Sequence, residues 1–510
     1  MSPSSQSPTS PVLIVGAGPT GLTAALELSR LGVSVRVVDR AAHPSAESRA
    51  LAVQARTLEL LRVRGVGDEI LALGNRATSA ALYAEGRRLA PIELHRMPSE
   101  FNFITMLAQS ETERLLTEQL ARQGVKVERG VEVTAVRRAA EEQPVEVTLR
   151  SGEGAQEVVT ASYLIAADGP HSTIRKALGI DFPGRTLPHN YVLADLEIDG
   201  ELPQDQVSIF LASPGFFAVF PMGAGRYRLM ATDPDGVLAR EGDADGPGNE
   251  PIQQLHARTV HIPARLHSMN WGSRFRINSR HVRALRSGRV FFGGDAAHVH
   301  SPAGGQGMNL GIQDMINLSW KLAMVLDGRA KPELLETYSS ERLPVIRTLI
   351  RVTEIGTRIF NSTNPLVHAV RIRMAPRALS RDRIQNAAAS MFGQLSAGYR
   401  ADALAKNGGG VGELRAGDRV PDVGGLYDAL DLNGLTLFVA DGTDPAVDVG
   451  RRWNGIVTLR EGFALERLTQ GAGGWLLVRP DGYLAAAGDD AASLDRWLGR
   501  WFIEPQGAAE

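Results

Sequence analysis

The 510-residue sequence contains no cysteine. Disulfides, thiolate metal centres, iron–sulfur clusters and cysteine nucleophiles are therefore excluded. Net charge is also scarce, −2 with histidine neutral, and neither half is strongly acidic or basic. Nothing electrostatic points to nucleic acid or to an anionic membrane surface. No hydrophobic run approaches a membrane span. Residues 1–10 have no basic and apolar leader pattern; they are Ser/Pro-rich and read as a disordered tail. His298 and His300 stand one residue apart without a third ligand, so their expected roles are structural and no metal site is expected. These absences fit a cytoplasmic protein with a small-molecule partner, neither nucleic-acid-bound nor membrane-bound, as a monomer or homodimer.

What is present is globular: 43% hydrophobic and 22% charged residues, in a chain long enough for two to four domains. Val12 to Val15 is a short apolar run that reads as a buried parallel strand. Leu22 to Leu31 has helical spacing and ends at Gly32. Val33 to Val38 reads as a second strand, ending at Asp39. The turn between the first strand and the helix is Gly16-Ala17-Gly18-Pro19-Thr20-Gly21, a G-x-G-x-x-G motif. Its first glycine permits a tight turn, its second lets backbone approach a pyrophosphate, and its third allows close helix–strand packing. The helix start attracts phosphate, and Asp39 is placed to accept bonds from ribose hydroxyls. This pattern predicts dinucleotide binding without choosing between NAD and FAD.

A second strand–turn–helix runs from Arg289 to Gly311. It passes through Gly293-Gly294-Asp295, then Pro302, then a glycine-rich turn, with a helix starting near Met308. Asp295 suits a sugar-like hydroxyl chain, and the helix start suits the flavin edge that gains negative charge on reduction. A plain NAD dehydrogenase has no use for this second element, so the pair favours FAD. A third strand, Ser162 to Ala166, ends in Asp168-Gly169, with Ser172 and Arg175 on the first turns of a helix. Ser110 to Glu113 reads as a capping box. Short alternating segments between Pro183 and Arg276 predict an antiparallel sheet. Asp233 to Pro251 reads as a surface loop and Pro332 to Gln385 as mainly helical. Gly408-Gly409-Gly410 reads as a linker to a tail with its own core.

Three motifs in this order resemble the FAD-dependent aromatic hydroxylases of the para-hydroxybenzoate hydroxylase fold. The most specific is GGDAAHVHSPAGGQGMNLGIQD, Gly293 to Asp314. The likeness covers most of residues 11–400. Leu477 to Tyr483 in the tail is similar to the phenol and polyketide hydroxylase subgroup, which carries a thioredoxin-like C-terminal domain. Without cysteine the tail has no dithiol chemistry. The resemblance implies an α/β fold with four parts. They are the tail 1–10, a Rossmann-like FAD-binding domain at 11–182 and 277–400 with a helical extension, a substrate-binding antiparallel sheet at 183–276, and a thioredoxin-like domain at 408–510. It implies FAD, NADPH (or NADH) as transient co-substrate, and O2. The implied reaction is hydroxylation of a small aromatic or polyketide-like substrate through a flavin C4a-hydroperoxide.

By the same resemblance Gly16, Gly18, Pro19, Thr20 and Gly21 hold the pyrophosphate, with Asp39 and Arg40 at the adenosine ribose. Arg49 and Gln109 contact FAD, Asp168 and Gly169 serve FAD and the nicotinamide, and Asp295 binds ribityl or pyrophosphate oxygens. Pro302, Gly304, Gly305, Gly307, Met308 and Asn309 line the isoalloxazine. Phe216, Phe217, Phe220, Pro221 and Pro302 are expected at the substrate. No catalytic base is assigned; Arg226, Tyr227 and Arg228 are further candidates. The lack of an evident charged clamp favours a bulky apolar aromatic over a small benzoate. Two alternatives stay open: Baeyer–Villiger or epoxidising oxygen transfer on the same scaffold, and a non-enzymatic FAD-bearing interaction protein. A halogenase is disfavoured, because no Trp-x-Trp-x-Ile-Pro string occurs.

Overall fold

Val12–Val15 is apolar throughout and wholly buried, which suits a strand covered on both faces. Each fully buried Val, Leu or Ile side chain contributes about 1.5–3 kcal/mol. The strand sits inside a six-stranded sheet whose order is Arg286–Ser287, Val290–Phe292, Tyr163–Ala166, Val12–Val15, Val35–Asp39, Val127–Arg129. All neighbours are parallel except the antiparallel edge strand Arg286–Ser287. Three strands far apart in sequence thus lie side by side, and each ends in one of the three motif turns. Ligands bind beyond the carboxyl ends of such strands. The computed structural model describes residues 10–45, 50–84, 86–137, 143–152, 154–212, 215–233, 249–302, 304–442, 444–471 and 473–505.

The chain leaves this sheet after Ala166 and returns at Arg286. Between them lies most of an eight-stranded sheet, dominated by the antiparallel strands Gly184–Gly200, Ala264–His281, Arg226–Asp233, Phe216–Gly223 and Gln206–Leu211. This sheet extends beyond residues 183–276. Ser79–Ala84 pairs in parallel with Gln206–Leu211, Arg87–Glu93 pairs with Ser79–Ala84, and His298–Val299 pairs with Ala264–His281. Those pairings tie the sheet at both edges to chain segments outside residues 183–276. Most of the expected Asp233–Pro251 loop lies outside the described residues; a helix begins at Asn249.

Helices Glu336–Phe360, Pro365–Leu379 and Asp382–Phe392 form the extension. The tail holds a four-stranded sheet in the order Val457–Arg460, Leu435–Val439, Trp475–Val478, Leu484–Gly488, with helix Ala491–Trp501 packed on it. Gly408 does not span open space: its carbonyl accepts from Ala487 N–H at 2.7 Å. The tail has a core cluster of its own, with Val420, Leu426, Phe438, Leu465, Leu476 and Leu484, and a second cluster joins it to the rest of the chain. Trp453, Trp475, Trp497 and Trp501 share one cluster with Trp320, Met324 and Leu334.

One local expectation fails. Ser110 is not a helix cap, because the helix starts at Gln109 with Ala108 at its cap position and no side-chain cap bond. Glu113 accepts from Gln109 Nε2 at 2.8 Å instead.

Candidate functional site

The first turn is built around space that only glycine leaves. Gly16 has φ +103°, and a Cβ there would lie 2.2 Å from the Ala167 carbonyl oxygen. A Cβ on Gly21 would lie 1.8 Å from the Gly16 carbonyl oxygen. Gly18 faces open space. The first two contacts press the helix Pro19–Arg30 onto the sheet, and the third leaves the approach to the helix start clear. Asp39 closes the turn: Oδ2 accepts from Ala17 N–H at 2.6 Å and Oδ1 from Ala41 N–H at 2.8 Å.

The second turn interlocks with the first through Thr20. A Cβ on Gly294 or on Gly311 would lie 2.3 Å from Thr20 Oγ1. A Cβ on Gly293 would lie 2.2 Å from Met315 Cε. The helix Gly307–Leu326 therefore packs closely on Pro19–Arg30, and both N-termini open on the same side. Asp314, on that helix, binds back to the turn. Its Oδ2 accepts from His298 Nε2 at 2.7 Å and from Gly294 N–H at 3.2 Å, and its Oδ1 accepts from Arg342 Nε at 2.8 Å. Burial pushes the Asp314 carboxyl up, but Arg342 and His298 outweigh it and hold the group below its ordinary value.

The third turn joins the second by a buried arginine. Arg175 donates to the Ala296 carbonyl at 2.8 Å and to the Pro170 carbonyl at 2.7 Å. Ser172 caps its helix, accepting from Arg175 N–H at 3.0 Å. Asp168 Oδ2 accepts from Thr173 N–H at 2.7 Å. Asp168 Oδ1 is buried and has no partner among the described residues.

Two cavities meet here. The larger, about 450 Å3, runs from Gly18, Pro19 and Thr20 past Gln109, Asp295, Pro302, Gly305, Gly307 and Met308 to the apolar face of the antiparallel sheet. The smaller, about 240 Å3, is lined by Gly16, Asp39, Arg40 and Asp168. Gly18, Ala167 and Gly169 line both. The result is one elongated cleft with two helix N-termini, several backbone N–H groups and a bare carboxylate oxygen along it. These are groups that hold a dinucleotide, so the residues present fit FAD.

The expected residues divide as follows. Besides those just named, Phe220 reaches the larger cavity. Arg49 lies outside the described residues. Gly21 packs behind the turn. Gly304 is held by Gln54 Nε2, which donates to its carbonyl at 2.8 Å. Asn309 is turned into the protein: Oδ1 accepts from Gln54 N–H at 2.9 Å and Nδ2 donates to the Ala52 carbonyl at 2.8 Å. That clamp fixes the strand Ala52–Val53 against the Gly307 helix. Phe217 is not brought to the cavity, because alternate residues of a strand face opposite ways; it packs with Val192, Tyr227 and Leu229 in the outer core. Phe216 shares Phe220's face but packs on Tyr191 and Phe360. Pro221 lies beside a bulge, its carbonyl accepting from Asn75 Nδ2 at 3.2 Å.

Of the three further candidates, only Arg228 lines the cavity. It makes a two-pronged ion pair with Asp195, at 2.6 and 2.7 Å, and donates to the Ala50 carbonyl at 3.0 Å. Tyr227 is bonded to the Leu202 carbonyl in the outer core, and Arg226 lies exposed. Leu193, Met230, Gln306 and His300 also line the cavity. Strand alternation around Phe220 and the antiparallel register, which sets Met230 opposite Leu193, are the signals that would have found the first two.

Residues 9–353 match the family described as FAD binding domain. The chain is 36% identical to 6-methylpretetramide 4-monooxygenase of Streptomyces rimosus, over 94% of this chain and 90% of that protein. It is 32% identical to pentachlorophenol 4-monooxygenase of Sphingobium chlorophenolicum, over 94% and 87%. Among solved structures, an anhydrotetracycline hydroxylase from Streptomyces rimosus superposes with a TM-score of 0.80 at 30% identity, covering 98% of this chain and all of that one.

Proposed function

We propose a substrate class for a chain that belongs to the FAD binding domain family of FAD-dependent aromatic monooxygenases: a neutral, multi-ring phenol of polyketide type. FAD is the cofactor, reduced nicotinamide the electron donor and O2 the oxygen source. When bound, the flavin supplies hydride acceptance and oxygen activation for ring hydroxylation.

The carrying observation is the Arg228–Asp195 pair. Among the described residues, Arg228 is the arginine that lines the larger cavity, and its guanidinium is already paired with the Asp195 carboxylate. A benzoate would have to bring a second carboxylate beside Asp195, with its own desolvation cost. A neutral polycyclic phenol brings none. Leu193, Phe220, Met230 and Pro302 offer it apolar walls and exclude water. The named activities of the Streptomyces rimosus relatives point the same way; the pentachlorophenol relative keeps a single-ring phenol, mostly ionised at neutral pH, in play.

In this reading Gly16, Gly18, Pro19 and Thr20 hold the pyrophosphate, Asp39 and Arg40 the adenosine end, and Asp295 the ribityl chain. Gly305, Gly307 and Met308 present the positive helix start to the flavin ring edge. Gln109 is anchored by Ala50 N–H and by Glu113, at 3.1 and 2.8 Å, and borders the ring site. NADPH is the preferred reductant, and residues 408–510 serve as a thioredoxin-like structural module. The location is the cytoplasm; among the described residues no helix is long and apolar enough to cross a membrane.

The test is product formation. The FAD-loaded enzyme is given NADPH, O2 and, separately, 2,6-dihydroxyanthraquinone, pentachlorophenol and 4-hydroxybenzoate. The expected result is oxygenated product from the tricyclic phenol and none from the benzoate. Turnover of the benzoate alone would overturn the reading. Product with oxygen inserted into a ring bond would replace hydroxylation by a Baeyer–Villiger outcome.

A further inference from the structure

His300 lines the larger cavity beside Pro302 and Gly307. Its Nδ1 lies 2.7 Å from the Ser301 carbonyl oxygen. A carbonyl only accepts, so Nδ1 carries the hydrogen. Burial, with His298 nearby, pushes the His300 imidazole down to about 4, so the ring is neutral at pH 7. Nε2 therefore presents a lone pair and no hydrogen. It is shielded from solvent and has no hydrogen-bond partner among the described residues. A Cβ on Gly307 would lie 3.6 Å from it, which places this acceptor at the mouth of the Gly307 helix. His298 differs in place: its Nε2 is engaged by Asp314, its Nδ1 is also unmatched among the described residues, but it is not among the residues lining the cavity. A buried acceptor left unmatched costs stability, so its persistence beside a ligand cavity calls for a donor from the ligand.

We propose that His300 Nε2 accepts a hydrogen bond from a ring-borne N–H or O–H in this cavity, either the flavin imide or the phenolic hydroxyl of the substrate. This rests on FAD and an aromatic substrate sharing the larger cavity. No proton is transferred; the contact orients the ring and discriminates for rings that carry the donor.

Two arms separate the sources. In the first, apoprotein is reconstituted with FAD or N3-methyl-FAD and affinity is read from flavin fluorescence. In the second, the FAD-loaded enzyme is titrated with 2,6-dihydroxyanthraquinone or 2,6-dimethoxyanthraquinone and affinity is read from the flavin absorbance. Each arm uses wild type, His300→Leu, and His300→Gln, which keeps an acceptor. The expected result is a preference of about tenfold for the donor-bearing ring in one arm, abolished by His300→Leu and largely retained by His300→Gln. The arm in which this happens names the source. If His300→Leu changes the preference in neither arm and only lowers Tm, His300 is a helix-mouth packing residue and the proposal fails. If neither anthraquinone binds wild type, the multi-ring substrate reading is the one that suffers, and the His300 proposal then stands or falls on the flavin arm.

Discussion

The cofactor cleft and the seam between the tail and the rest of the chain use opposite chemistry. In the cleft, Asp168 keeps a bare oxygen and His300 a bare nitrogen, beside the glycines of the three turns and an apolar wall. In the seam the carboxylates have both oxygens engaged. Glu341 accepts from Lys321 at 2.7 Å, Asn317 at 2.7 Å, and both prongs of Arg479 at 2.5 and 2.8 Å. Arg479 also holds both oxygens of Asp481. Glu59 is gripped by Arg56, Arg419 and Ser99. Two unmatched acceptors thus lie beside the cleft's cavities, although its Arg228–Asp195 pair is matched; the seam's carboxylates named here are matched, although Arg56 Nε and Trp320 Nε1 there have no partner among the described residues. A buried ion pair tolerates no missing member, whereas an acceptor left bare beside a cavity is available to a ligand.

The strongest way to break this contrast is to remove one member of the seam. Glu341→Leu leaves Arg479 and Lys321 buried without their carboxylate. It should cost about 3–5 kcal/mol in urea unfolding of the FAD-loaded enzyme. The same group sets an acid dependence. Burial alone would raise the Glu341 carboxyl, but Arg479 and Lys321 hold it down at about 2, against an ordinary 4.5. A depressed carboxylate contributes stability that is fully present above the ordinary value and is lost as pH falls from 4.5 toward 2. Glu341→Gln should flatten the stability–pH slope in that window; an unchanged slope would contradict the assignment.

Next comes the cleft. Gly16→Ala forces a Cβ onto the Ala167 carbonyl at a left-handed φ, so FAD affinity should fall about 100-fold or more. The tail's tryptophan fluorescence should stay native. A smaller effect sharpens the picture on the antiparallel sheet. Phe220→Leu should raise KM for 2,6-dihydroxyanthraquinone several-fold. Phe217→Leu, one residue-facing away, should leave KM alone and cost about 1 kcal/mol of stability. Equal effects on KM would mean that strand alternation does not divide the two.

The glycine turns were legible because each carries its own local reason: a turn, a close approach and a helix start lie within a few residues. That three such turns stand on adjacent strands was not legible, since strand order is decided by packing across more than 100 residues. Thr20 illustrates the gap. Its place in the first motif is plain, but its wedge against Gly294 and Gly311 appears only once the two helices cross. Arg228 and Asp195 meet through antiparallel register, which no spacing rule supplies. Phe216 and Phe217 could have been divided by alternation alone, and Asn309 could not, because its clamp partners are near residue 54. The capping box failed for a local reason: the helix began two residues early, with Ala108 and not Ser110 at its cap, and Glu113 was taken by Gln109.

The central claim is that one cleft joins a dinucleotide site to a neutral, apolar aromatic pocket. Rapid mixing of the FAD-loaded enzyme with NADPH, with and without 2,6-dihydroxyanthraquinone or 4-hydroxybenzoate, tests it most directly. The account predicts that the tricyclic phenol accelerates flavin reduction and the benzoate does not. Acceleration by the benzoate alone would contradict it.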